Sequence, residues 1–192
     1  MNTGTVVLIV ILLVVLMFIA AIWSTYNGLV KLDERVNEAW SDITVQLKYR
    51  ADLIPNVVET VKGYAKHEKE VFEGVTEARS AVMSAKTVKS AAKAEADMTN
   101  ALSKVFAIAE AYPELKANGN FQKLQEQLQD VEDKIQAARR FYNAGAKELN
   151  TKLKTFPTNV INKIVGHFKV RDYFEVAEAE RTKIESAPDV KF

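Results

Sequence analysis

The chain has 192 residues, enough for one anchor and one domain. Lys and Arg total 26 against 25 Asp and Glu, so there is no basic excess of the kind nucleic-acid binding draws on. Cysteine is absent, which excludes disulfides, a thiol nucleophile, cysteine-type zinc sites and a lipidated N-terminal cysteine; 7 glycines and 4 prolines favour helices over a turn-rich β-sandwich.

Every charged side chain lies at or after Lys31, and the head of the chain is apolar. Residues 6–23 read VVLIVILLVVLMFIAAIW, with no polar side chain before Ser24. A helix of this length rises about 27 Å, close to the hydrocarbon thickness of roughly 30 Å. Fourteen of its residues are Val, Leu, Ile or Phe, each favouring insertion by roughly 0.3–0.6 kcal/mol at the helix centre. Trp23 and Tyr26 stand where an interfacial aromatic belt is expected. A cleaved signal peptide needs a basic start, an apolar run of about 7–15 residues and an A-x-A-like site. Met1–Thr5 carries no basic side chain, the run is longer, and Ala20-Ala21 leads into bulky Ile22 and Trp23, so the segment is expected to stay as an anchor. Lys31 and Arg35 follow it closely, so the positive-inside rule puts the N-terminus outside and the body in the cytoplasm.

Leu29, Leu32, Val36, Ala39, Ile43 and Leu47 step by three or four residues, the spacing of one helix face, with Asp33, Glu34, Arg35 and Glu38 between them. Only Gly28 interrupts the path from the anchor, so the spanning helix is expected to run on into the body. Pro55 should then kink or restart it, with Asp52 as a possible cap. The face continues through Val57, Val58, Val61 and Tyr64. A second amphipathic stretch runs from about His67 through Val71, Val75, Ala78 and Val82, and a third from Val88 to Ala111, ending at Tyr112-Pro113. A turn over 117–120 follows, and Asn120 is expected to cap a long helix. The seam of that helix is Phe121, Leu124, Leu128, Val131, Ile135, Ala138, Tyr142, Leu149 and Leu153, coiled-coil-like at first and faltering near Gly145; Phe156-Pro157 stops it. A short apolar segment from Val160 to Val165 and an acidic stretch from Tyr173 to Ile184 complete the chain. Helices this long cannot bury an apolar stripe alone, so the expected fold is all-α: a transmembrane helix continuing into an antiparallel bundle of long helices, three or four in number. The expected divisions are a tail and anchor over 1–24, a cytoplasmic bundle over 25–170, and a C-terminal helix with extended tail over 171–192.

The motif search returns little chemistry. His67 and His167 lack a Glu three residues before them, and His67-Glu68-Lys69-Glu70-Val71 is not H-E-x-x-H, so a di-iron bundle is unsupported. Walker, nucleophile-elbow and dinucleotide motifs are missing. The sequence therefore designates no catalytic, cofactor-binding or metal-binding residue. Trp40 is expected to pack in the core rather than serve as a ligand platform. Arg139 and Arg140 are expected to be solvated or paired with nearby acids rather than to bind phosphate or anionic lipid. Lys86, Lys89, Lys93 and Lys104 read as a wet face. Ala20, Ser24 and Gly28, spaced by four, place three small groups on one side of the helix at its membrane exit, a candidate self-association seam.

Several blocks resemble one family. Residues 47–56, LKYRADLIPN, followed by 61–68, VKGYAKHE, look like the hallmark of the LemA family, as do YNGLV at 26–30 and EAWSDI at 38–43. AYPELKAN at 111–118, ARRFYN at 138–143, FPTN at 156–159, YFE at 173–175 and the terminal APDVKF at 187–192 extend the resemblance over nearly the whole chain. Tyr49 departs from it, since a basic residue is commoner there. The resemblance implies a spanning helix, an outside N-terminus and a cytoplasmic antiparallel bundle, but no catalytic residues; a family member associated with magnetosome membranes implies a role in membrane organisation. The function expected is a non-enzymatic, self-associating scaffold at the cytoplasmic face, with the bilayer and other copies of the chain as partners and no nucleic acid. The competing expectation is an adaptor recruiting a protease or signalling partner to the membrane.

Overall fold

The structure is a computed structural model that describes residues 2–175. These residues form six helices: α1 (Thr3–Lys62), α2 (Lys69–Ser84), α3 (Val88–Ala111), α4 (Pro113–Lys116), α5 (Gly119–Lys154) and α6 (Thr158–Val165). No strand occurs among the described residues, in agreement with the all-α expectation. Two compact units are built from them: residues 2–38 with 144–171, and residues 39–143 with 172–175. Of the acidic stretch and the C-terminal helix and tail expected over 171–192, residues 171–175 have no regular secondary structure and the rest lies outside the described residues.

α1 is one helix of 60 residues, and its most apolar stretch has none of its side chains buried among the described residues. In the first unit, α1 buries Leu29, Leu32 and Val36, while α5 buries Ala146, Leu149 and Leu153. The two helices run antiparallel here, since Arg35 reaches Glu148 at 3.8 Å while Gly145 lies against Val36. The seam of α5 does not falter at Gly145 as expected. A Cβ there would stand 3.3 Å from Val36 Cγ2, so the missing side chain allows a close approach and keeps the stripe continuous.

In the second unit, α1 and α3 each lie antiparallel to α5: Trp40 meets Tyr142, Arg50 meets Glu132, Glu95 meets Arg139 and Phe106 meets Phe121. α2 lies antiparallel to α1, with Lys62 over the Phe72 ring and Arg79 at Ala51. Pro55 neither ends nor restarts α1. A proline at this position leaves the carbonyl of Ala51 without its i+4 donor, and Arg79 of α2 supplies one: its Nε donates to Ala51 O at 2.9 Å. Asp52 is accordingly not a cap; it lies within the helix, 3.9 Å from Arg79 Nη2. The buried stripe of α2 begins at Phe72 rather than Val71. α3 has the expected bounds, and Thr87 and Ser90 cap it reciprocally. Asn118, not Asn120, caps α5: its Oδ1 accepts from the backbone N–H of Asn120 and Phe121 at 2.9 and 3.2 Å, because α4 turns the chain early enough to put Asn118 before the first turn.

Candidate functional site

Two regions carry features beyond apolar packing, one in each unit. In the first unit the proposed seam lies on an open surface. Ala20 and Ser24 are exposed and Gly28 is half-buried, with nothing within 4 Å of where its Cβ would stand. The structure thus places the three residues on α1, with open space where a Gly28 Cβ would stand. Farther along, Arg171 donates through Nη2 to Asp33 Oδ1 at 2.7 Å and Asn37 Oδ1 at 2.9 Å, while the Asn150 side chain brackets the Arg171 backbone. The Asn150 Oδ1 accepts from Arg171 N at 2.7 Å, and its Nδ2 donates to Arg171 O at 2.9 Å.

The second unit holds a charged core. Arg50 of α1 and Glu95 of α3 are each only 6% exposed. Arg50 Nη1 lies 3.4 Å from Glu95 Oε1 and 2.8 Å from Glu132 Oε2, and donates to Thr99 Oγ1 at 3.1 Å. Arg139 Nη1 lies 3.7 Å from the other Glu95 oxygen. Two guanidinium groups therefore face two carboxylates, and the cluster is neutral as a whole. Burial pushes the Glu95 carboxyl above the usual glutamate range; Arg139 opposes this, Glu132 adds to it, and Arg50 and the Thr99 hydroxyl oppose it more weakly. Hydrogen bonds tie the cluster together, since Thr99 Oγ1 donates to Glu95 Oε1 at 3.2 Å and Gln136 Nε2 to Glu132 Oε1 at 2.7 Å, while Arg50 Nε and Glu132 Oε2 have no aligned hydrogen-bond partner among the described residues.

Arg139 also stacks over the Phe174 ring at 5.0 Å, joining the cluster to an aromatic nest of Trp40, Tyr142 and Phe174. Tyr142 and Phe174 are buried and Trp40 is half-buried, so Trp40 packs as expected. The segment over 171–175 is tied down by its backbone. Tyr142 Oη donates to Asp172 O at 2.9 Å, and Asn143 brackets Phe174 as Asn150 does Arg171, accepting from its N–H at 2.8 Å and donating to its carbonyl at 2.9 Å. Arg139 is paired with an acid and Arg140 is exposed. Lys86, Lys89, Lys93 and Lys104 are exposed, Lys89 standing 3.3 Å from Asp172. His67 and His167 are both exposed, and no group of three or more His, Asp or Glu suited to a metal ion occurs among the described residues.

Sequence reasoning passed over the charged cluster, although a trace of it was there. Ile43, Leu47, Arg50, Ile54 and Val57 alternate steps of four and three, as do Ala91, Glu95, Met98, Leu102 and Val105. A charge inside such a stripe is a core charge that needs a partner. The asparagine brackets left no comparable trace, because their partners lie 31 and 21 positions away in a stretch without regular secondary structure.

A sequence profile of the LemA family matches residues 39–192, most of the chain. The chain belongs to the LemA family. Among its relatives, Protein LemA of Metamycoplasma hominis is 28% identical over 165 residues, covering 84% of this chain and 74% of that one. Magnetosome protein MamQ 2 of Paramagnetospirillum magneticum is 25% identical over 203 residues, covering 92% and 74%. Magnetosome protein MamQ of Magnetospirillum gryphiswaldense is 24% identical over 193 residues, covering 87% and 71%. With α1 long and apolar enough to cross a membrane, this LemA-family chain is a membrane-associated helical protein.

Proposed function

We propose that this LemA-family protein is a non-enzymatic scaffold, anchored by α1, whose body lies at the cytoplasmic face of the bilayer and whose copies associate laterally. The observation that carries the proposal is α1: an apolar stretch with no side chain buried among the described residues, which continues as one helix into residues packed with α5. Side chains that apolar are left bare only where lipid or another protein covers them. Lys31 and Arg35 beyond the span favour a cytoplasmic body. Lateral contact is supported by the open surface at Ala20, Ser24 and Gly28, which permits close backbone approach between helices. The names of relatives as magnetosome proteins agree with a membrane-organising role. A non-catalytic role is supported by a sequence without Walker, nucleophile-elbow or dinucleotide motifs and by core charges that pair with one another.

The test is crosslinking of the full-length protein in its own membrane, followed by sizing in lipid nanodiscs. The proposal predicts a ladder of homo-oligomers, weakened by replacing Ala20 and Gly28 together with Leu. Single copies that co-purify in fixed ratio with one other protein would replace the scaffold with the adaptor.

A further inference from the structure

Unit 1 carries a second surface suited to the bilayer, separate from the span. α6 is a helix of eight residues with apolar side chains on both sides. Ile161 is buried against the unit, whereas Val160 and Ile164, four positions apart and so on one stripe, face outward. Ile164 is 70% exposed, and Phe156, just before the helix, is 81% exposed. An outward apolar stripe on a short helix is unfavourable in water and normally has a partner.

The position of α6 indicates which partner. Val165, at its end, lines a groove with Ile19, Ile22, Trp23, Tyr26 and Asn27 of α1. Phe168, just beyond, packs against Tyr26 with ring centroids 5.8 Å apart and the planes tilted by 58°. Ile19 and Ile22 belong to the apolar run, and Ile19 precedes Trp23 by four residues, about 6 Å of helix rise. A residue that shares a groove with them therefore stands at the edge of the hydrocarbon whenever residues 6–23 are in the bilayer.

The charge pattern completes the surface. Between Glu148 and Asp172 there is no acidic residue, but there are Lys152, Lys154, Lys163, Lys169 and Arg171. The described part of unit 1 holds eight Lys and Arg against four Asp and Glu, within a chain whose net charge is only +1. Arg171 pairs with Asp33 and Lys152 with Glu148, whereas Lys154, Lys163 and Lys169 make no ion pair among the described residues. Apolar side chains outward with free lysines beside them is the composition of an interfacial helix on an anionic leaflet.

We infer that α6 and its flanks form a lipid-binding surface: Phe156, Val160 and Ile164 enter the headgroup–acyl boundary, and Lys154, Lys163 and Lys169 hold anionic headgroups. The groove between Val165 and Trp23 then accepts part of an acyl chain. This rests on α1 spanning the bilayer, but not on the copies associating.

The chain has no cysteine, so single cysteines report cleanly. Full-length protein carrying Met17→Cys, Val45→Cys or Ile164→Cys would be labelled with an environment-sensitive fluorophore. Each would be placed in nanodiscs of phosphatidylcholine with or without phosphatidylglycerol, containing spin-labelled lipid. All three positions are exposed, so labelling removes no core contact. The expected result is strong quenching at positions 17 and 164 and none at 45. In phosphatidylglycerol discs, Lys163→Glu with Lys169→Glu should lower the docked-to-free ratio at position 164 by at least about fivefold per lysine. Quenching at 17 with none at 164 would overturn the lipid surface and leave the anchor standing. No quenching at 17 would overturn the anchor and the surface with it. A blue-shifted but unquenched label at 164 would mean that a second protein copy covers α6, and would also overturn the inference. Quenching at 164 that ignores both the lipid charge and the lysine reversals would refute the anionic-headgroup part.

Discussion

Replacing Arg79 with alanine should destabilise the protein by an amount that depends on residue 55. Pro55 has no N–H, so Ala51 O lacks the donor that an α-helix would normally supply. Ala51 is fully buried, and the Arg79 Nε at 2.9 Å takes the missing donor's place. A buried carbonyl left without a partner costs about 1–3 kcal/mol. The Arg79–Asp52 pair, at 3.9 Å and partly exposed, adds at most about 1 kcal/mol. Arg79→Ala should therefore cost about 1–4 kcal/mol in the native background. In a Pro55→Ala background the new Ala N–H can serve Ala51 O, and the same change should cost only the Asp52 share, about 0–1 kcal/mol. The coupling between the two positions is then the carbonyl share, about 1–3 kcal/mol, well above what non-interacting sites show. Unfolding of full-length protein in detergent, followed by helical circular dichroism against denaturant for all four variants, measures it. Equal costs in the two backgrounds would refute the claim that Arg79 carries α1 through Pro55.

Three further outcomes follow from the same contacts. Gly145→Leu should cost about 1–3 kcal/mol or more by forcing atoms against Val36, with Gly145→Ala far milder, as read by thermal unfolding. Asn143→Ala should cost about 1–3 kcal/mol by unpairing the N–H and carbonyl of buried Phe174; faster hydrogen exchange at residues 172–175 than in the rest of the unit is the specific readout. Glu95 has a folded pKa above its unfolded value, so the folded state holds the proton more tightly, and its contribution to stability falls as pH rises from the usual glutamate range through the raised folded value. Stability of the native protein relative to Glu95→Gln should accordingly decline with rising pH across that window and level off above it; a difference that grows with pH would contradict the burial of this carboxyl.

Most of the helical layout was legible, for reasons that differ by element. The apolar run over 6–23 declares itself by composition, and α3 by steady periodicity between Thr87 and Tyr112-Pro113. The helix does not restart at Pro55 because a proline's effect depends on whether a distant donor meets the stranded carbonyl, and Arg79, which does so, is 24 positions beyond Pro55. Gly145 misled because periodicity counts side chains, whereas this position contributes by lacking one. Asn118 and Asn120 could each cap a helix; the choice depends on where α4 ends. The outward face of α6 was legible only as an apolar segment, since its meaning comes from lying beside Trp23. The buried Arg50, Glu95, Glu132 and Arg139 cluster lies between: each charge interrupts or flanks an apolar stripe, but their mutual pairing is a property of the assembled bundle.

The central claim is that residues 6–23 hold the protein in a bilayer. Alkaline carbonate extraction of membranes from expressing cells, with intact mass measured on each fraction, tests it most directly. A spanning α1 keeps the protein in the membrane pellet at a mass that retains the apolar head. Release into the supernatant of a chain shortened by its first two dozen residues would contradict it.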